Sequence, residues 1–216
     1  MTAIAVPATP GLALDTSTKI ARPVAAELWD YGYRAVGRYV PLPDNRAGQD
    51  IDAFELAMLL DVGFQVWLVQ HVRMPGWRPA DHNAEVDATV AVTAARAAGY
   101  PAAHIFLDLE GIDGTADETK AFAEGWASTM ARLGQPAGVY CGYQNPLGAQ
   151  GLYLLHGVST YWSDAGHRSV MTRGCAIHQG PEKTIAGIRV DVDTISVDML
   201  GDLPLFATAA PAAVAA

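Results

Sequence analysis

An alternation constrains this chain more than any single motif. Short runs rich in β-branched and aromatic residues take turns with longer runs whose apolar residues recur at helical spacing. Strand-like runs fall at 11–18 (GLALDTST), 33–40 (YRAVGRYV), 64–72 (FQVWLVQHV), 104–111 (HIFLDLEG) and 137–143 (AGVYCGY), then at 159–166, 175–180 and 188–196. Helical spacing fills 21–32, 50–63, 81–99 and 117–134, with a weaker run at 146–157. Gly63, Gly99 and Gly134 each stand where a helix should stop. Strands that alternate with helices predict an α/β fold whose parallel sheet is buried on both faces. Eight such strands in 216 residues fit one (β/α)8 TIM-barrel-like domain with shortened later helices. A doubly wound open sheet is the alternative. It is disfavoured because LALDTSTK, after the first strand, has no glycine-rich phosphate loop. The predicted boundaries are an N-terminal extension over 1–10, the barrel over 11–206 and a disordered Ala/Pro tail over 207–216.

Composition narrows the function. With 23 acidic against 14 basic residues and a net charge of -9, nucleic acid and anionic membrane surfaces are poor partners. Cys141 and Cys175 are too few for a disulfide framework, and both sit in apolar runs. They read as two buried thiols, with one bridge between neighbouring strands as the alternative. No metal-ligand spacing is present, and DVDTISVD (191–198) lacks the glycine and glutamate of a calcium loop. No cofactor is therefore expected. The first residues lack a basic segment followed by an apolar one, so no Sec signal peptide is read. No apolar run reaches the ~18 residues of a membrane span, so no membrane insertion is expected.

In a barrel, the carboxyl ends of the strands build the site. Those ends carry Asp15, then Arg38 with Tyr39, Gln70 with His71, and Asp108 with Glu110. The later strands end in Tyr140 and Tyr143, Trp162 and Asp164, His178 and Gln179, and Asp191 and Asp193. Asp108 and Glu110 share one face of a strand, because side chains alternate with period two, and their Cα atoms would be ~6.6 Å apart. Carboxyls that close split their pKa values, which supplies one acid and one anion at the same pH. Glycoside hydrolysis uses that combination. The bland alternative is a helix cap beside a solvated charge.

GLALDTST, VGRYV, IFLDLEG, AGVYCGY and IHQG…GIRVDVD resemble the glycoside-hydrolase-like domain catalogued as domain of unknown function 1906. That family is similar to the family-25 glycoside hydrolases, the muramidases that include many phage endolysins. The resemblance covers roughly 11–203. It implies a barrel with an acidic groove that cleaves the β-1,4 bond of peptidoglycan. By position, Glu110 matches the general acid and Asp108 the carboxylate that stabilises the oxocarbenium or orients the N-acetyl group. Asp15 and Asp191 match the flanking acids, and Tyr140, Trp162 and Gln179 match groove positions. Tyr39, Gln70, Arg38 and Asp193 complete the expected substrate-binding set. Two of these depart from the muramidase pattern: Arg38 puts a cation near the acids, and Asp193 stands where muramidases often have Asn. Arg38 would bind a substrate carboxylate or pair with Asp15.

His71, His156, His167 and His178 read as structural or exposed, and Trp29, Trp67 and Trp126 as packing. Trp162 is the sugar-stacking candidate, and Trp77 would rim the groove. The expected function is a lysozyme-like peptidoglycan hydrolase acting as a monomer at the bacterial cell wall, released by lysis or a dedicated secretion system. A non-catalytic glycan-binding module and a glycosidase for another polysaccharide are the alternatives.

Overall fold

A computed structural model describes residues 2–44, 49–166 and 170–211. The strands are β1 (Ala3–Pro7), β2 (Gly11–Asp15), β3 (Ala35–Val40), β4 (Gln65–Gln70), β5 (Ile105–Asp108), β6 (Ala137–Cys141), β7 (Val158–Ser163), β8 (Ile177–Ile185), β9 (Ile188–Ile195) and β10 (Leu205–Ala209). The helices are α1 (Arg22–Asp30), α2 (Ala53–Val62), α3 (Ala84–Ala97), α4 (Ala116–Arg132) and α5 (Ala149–Tyr153). Local chemistry sets their ends. Asp52 caps α2 by accepting from the Glu55 N–H, Gly63 ends it at φ 115, and Thr115 with Glu118 forms a capping box on α4.

Strands β2 to β9 close an eight-stranded barrel, with β4 paired to both β3 and β5 and with β9 paired to both β8 and β2. The pairings from β2 through β8 are parallel. The last strand departs from the (β/α)8 expectation: β9 runs antiparallel to both neighbours. Only Ala186 and Gly187 separate it from β8, both with positive φ (51 and 79). A two-residue hairpin cannot carry a crossover helix, so the chain must reverse.

Both ends of the sequence differ from their predicted description. Residues 3–7 are not an extension, and 207–209 are not a disordered tail. They pair as β1 and β10, in register from Ala3↔Ala209 to Pro7↔Leu205. Alanine-rich sequence has poor strand propensity, and here a tertiary partner overrides it. Residues 212–216 of that tail, and His167, lie outside the described residues.

Two apolar shells hold the barrel. The outer one packs strands against helices and includes Leu28, Leu59, Val92 and Trp126. The inner one fills the barrel with Trp67, Phe106, Trp162 and Phe206. Gly37 and Gly138 make room for it, since a Cβ there would stand 2.6 Å from the Trp67 and Phe106 rings. Phe206 of β10 stacks on Trp67 with centroids 5.0 Å apart and so plugs the end opposite the mouth. Cys141 and Cys175 are buried thiols in hydrogen-bond contact, neither in a disulfide.

Candidate active site

Period two sends alternate side chains of each barrel strand inward. On β2 the inward residue nearest the mouth is Asp15, and on β3 it is Tyr39. From β5 the same face continues as Asp108 and then Glu110. The others that reach the mouth are Tyr140 of β6, Trp162 and Asp164 of β7, and Gln179 of β8. Asp108, Glu110, Asp164, Asp191, Tyr39 and Gln179 are among the residues lining one cavity of about 350 Å³. A second cavity of about 310 Å³ adjoins it, sharing Tyr39 and Asp191 and adding Asp15, Glu182 and Arg189. The reversed β9 still delivers its acids. Its register sets Asp191 directly across from Asp15, with Asp193 opposite Ala13, one step deeper.

Hydrogen bonds tie the mouth together. Tyr39 donates its hydroxyl to Asp15 Oδ1 at 3.0 Å, and Gln179 Nε2 donates to Asp15 Oδ2 at 3.3 Å. Tyr140 donates to Gln179 Oε1 at 2.8 Å, which fixes the amide so that its N–H faces Asp15. Trp162 Nε1 donates to Asp193 Oδ1 at 3.0 Å. Under Glu110 sits Gly142, where any Cβ would strike the Glu110 side chain.

Burial and mutual repulsion raise the acids together. Burial, then the Asp191 charge, pushes Asp15 up to about 7, against the pull of Gln179 and Tyr39. Burial, then Glu110 and Asp15, holds Asp108 well above the usual carboxylate range. Glu110 is raised by burial and by Asp164 and Asp191. Asp191 is raised by burial and Glu182, with Arg189 opposing. Asp193 is pushed well up by burial and by Asp15. Asp108 is the deeper member of the D-x-E pair: it is buried, Glu110 is half-buried nearer the opening, and Asp108 Oδ1 has no hydrogen-bond partner among the described residues.

Two expected site residues, Arg38 and Gln70, are elsewhere, and two, Asp193 and Trp162, lie in the floor of the site. Arg38 is fully buried on the outer face of β3, where it pairs with Glu55 of α2 at 2.8 Å and donates to the Thr16 and Gln49 carbonyls. It meets neither Asp15 nor the cavity, because its neighbour Tyr39 takes the inward direction. Gln70 likewise faces out of β4, donating to the Pro41 and Asp87 carbonyls and accepting from Trp126 Nε1 at 2.8 Å. Asp193 is 0% exposed and lies beneath the acids rather than against a ligand. Trp162 is 1% exposed, packed edge-on against Trp67, Phe106 and Tyr140. It forms the cavity floor, not an open stacking platform. Trp77 is also buried, and its Nε1 donates to the Glu110 carbonyl at 2.8 Å, which braces that backbone instead of rimming the groove. Of the four singled-out histidines, the three among the described residues are structural or exposed: His71 Nε2 lies 3.0 Å from Asp50 Oδ1, His178 Nδ1 contacts Ser163 Oγ at 3.1 Å, and His156 is exposed.

Three residues join the site beyond the expected set: Asp164, the half-exposed Tyr143, and Glu182 beside Asp191. The first two were readable as polar ends of their strands, two residues beyond Trp162 and three beyond Tyr140. Glu182 follows a bulge between Gln179 and Glu182 that no local pattern announces. A larger cavity of about 470 Å³ opens outside the barrel between α2 and α3, and none of these residues lines it. Among the described residues, no group of three or more His, Cys, Asp or Glu is arranged to hold a metal ion.

A closed α/β barrel with this carboxyl-lined mouth defines a glycoside-hydrolase-like protein. The chain belongs to the Rv2525c-like, glycoside hydrolase-like domain family, whose model matches residues 26–195. A search of curated proteins finds no match. Among solved structures, the chain is similar to the Mycobacterium tuberculosis Tat-secreted protein Rv2525c in complex with L-tartrate, at 17% identity and TM-score 0.66 over 90% of this chain and 99% of that one. It is similar to the modular autolysin LytC of Streptococcus pneumoniae in complex with a synthetic peptidoglycan ligand (16%, TM-score 0.62, 86% of this chain and 46% of that one). It is also similar to the glycosyl hydrolase 25 GHIP of Streptococcus pneumoniae (20%, TM-score 0.57, 86% of each). At these identities the likeness is one of fold.

Proposed function

We propose that the chain is a glycoside hydrolase that cleaves β-1,4 bonds of bacterial peptidoglycan, with Glu110 as general acid. The observation that carries this reading is the gathering of Asp15, Asp108, Glu110, Asp164 and Asp191, from four strands and the residues after them, at two adjoining cavities. Glu110, half-buried at the opening and raised by burial and then by Asp164 and Asp191, is the member suited to give a proton to the leaving oxygen. Asp108 stands deeper. Its ionised form is costly in the empty cavity, so positive charge growing on the sugar ring is the partner that stabilises it. Asp15 and Asp191 set the field around this pair, and Tyr140 with Gln179 orients Asp15. Tyr39 and Tyr143 supply the polar walls.

The relatives support the substrate class: LytC is an autolysin seen with a peptidoglycan ligand, and Rv2525c is Tat-secreted. The site of action is the cell wall. The decisive experiment incubates purified protein with peptidoglycan and measures released reducing ends. Glu110→Gln loses on the order of 10²-fold or more in rate while keeping its fold; equal release by variant and parent refutes the assignment. Binding without cleavage is the second reading, favoured by the burial that disfavours the ionised form of Asp108. It predicts co-sedimentation with peptidoglycan and no reducing ends.

A further inference from the structure

Asp193 poses a problem that the proposed reaction does not answer. It is 0% exposed, so no sugar reaches it, yet a carboxyl occupies a floor otherwise built of Trp162, Trp67 and Phe106. Its Oδ1 accepts from Trp162 Nε1 at 3.0 Å, and its Oδ2 has no donor among the described residues. Asp193 stands across from Ala13 on the neighbouring strand, so it shares the inward face of the β2–β9 pair with Asp15, one step deeper, and the two carboxyls interact. The two oxygens of Asp15 already accept from Tyr39 and Gln179. Ionised carboxylates only accept hydrogen bonds, so two of them in contact need a proton between them.

Among the described residues, the surroundings offer no other remedy. The groups acting on Asp15 and Asp193 are Asp191 on β9, Tyr39 on β3, Gln179 on β8 and Trp162 on β7; Asp108 on β5 is itself acted on by Asp15. All are acids or neutral. Among the described residues lining the two cavities the cation is Arg189, which is 74% exposed and paired with Glu182. A buried charge without a cation is far costlier than a buried neutral carboxyl.

We propose that Asp193 is a positioning residue that keeps a proton and donates it to Asp15, so that the pair carries one negative charge and Asp15 presents an oriented carboxylate to the cavity. Asp15 then accepts from three donors (Tyr39, Gln179 and Asp193), which pins both its plane and its charge. The proton stays on Asp193, the deeper member. With Asp15 raised to about 7, the pair holds one proton above that pH and a second, on Asp15, below it. An asparagine at 193 makes the same two contacts without an acid: its Nδ2 donates to Asp15, and its Oδ1 accepts from Trp162.

The pair itself exists whether or not the protein hydrolyses glycan; only the use made of Asp15 rests on the proposed function. The test is an infrared difference spectrum of wild type against Asp193→Asn at about pH 8, far above the about 3.9 of an ordinary aspartate. The expected result is the carbonyl stretch of one un-ionised carboxyl, present in wild type and lost in the variant, with the Trp162 indole proton resonance little moved. A difference spectrum with no un-ionised carboxyl overturns the proposal. In the reducing-end assay, Asp193→Leu loses on the order of 10²-fold through misplacement of Asp15, and Asp193→Asn recovers most of it. Equal loss in both variants also overturns the proposal, because the acid itself would then be needed. A wild type with no hydrolysis removes the proposed function and leaves the infrared result standing.

Discussion

Asp15 is expensive to bury, and its cost has a pH signature. Burial and the Asp191 charge push its carboxyl up to about 7 in the fold, against about 3.9 for an ordinary aspartate. Between those values the folded protein holds a proton that the unfolded chain has released, so stability falls as pH rises through that window. At ~1.4 kcal/mol per pKa unit the pit as a whole should cost a few kcal/mol by neutrality. Denaturant unfolding at about pH 5 and pH 7 should show wild type losing stability across the interval, and Asp15→Asn should give a shallower slope. Gly142→Ala should act at the same scale: the new Cβ would stand 2.2 Å from the Glu110 Cβ and 2.9 Å from the Tyr140 ring, so reducing-end release and the unfolding midpoint should both fall. The acids were legible in the sequence because each ends an apolar strand, and a D-x-E pair must put both carboxyls on one face. The errors at Arg38 and Gln70 are errors of parity. Barrel strands are buried on both faces, so hydropathy does not say which residues face inward. Arg38 and its neighbour Tyr39 could not both have reached the mouth, and the residue with a buried partner on α2 went out.

The same limit operates on elements. Helices α2, α3 and α4 were legible from spacing and from caps such as Thr115 with Glu118. The direction of β9 was legible in principle, since the two residues before it leave no room for a helix, but its apolar pattern reads the same in either direction. Strands β1 and β10 were missed because their partners are remote in sequence: β1 pairs with β10, and β10 also with β4; a buried His104, whose Nδ1 accepts from the Leu205 N–H at 2.8 Å, helps to fix β10. Two predictions belong here. Phe206→Ala should cost about 3–5 kcal/mol in chemical denaturation, because it removes the ring stacked on Trp67. Arg38→Met should cost a similar amount by stranding Glu55 in the core, and Arg38→Met with Glu55→Leu should restore part of it. An unchanged midpoint in either single variant would refute the packing assigned to it.

At the scale of the molecule, the barrel gathers acids from 15 to 191 along the chain and gives them a shared protonation state. A general acid must be protonated to work, so hydrolysis should decline as pH rises through the raised Glu110 value. The acids' convergence is the central claim, and the most direct measurement is a carbon NMR titration of the side-chain carboxyls of Glu110 and Asp15. The account predicts that both titrate above the ordinary values of about 4.3 and 3.9, Asp15 near 7, and that Asp191→Asn lowers both. Ordinary midpoints for both, unmoved by Asp191→Asn, would contradict it.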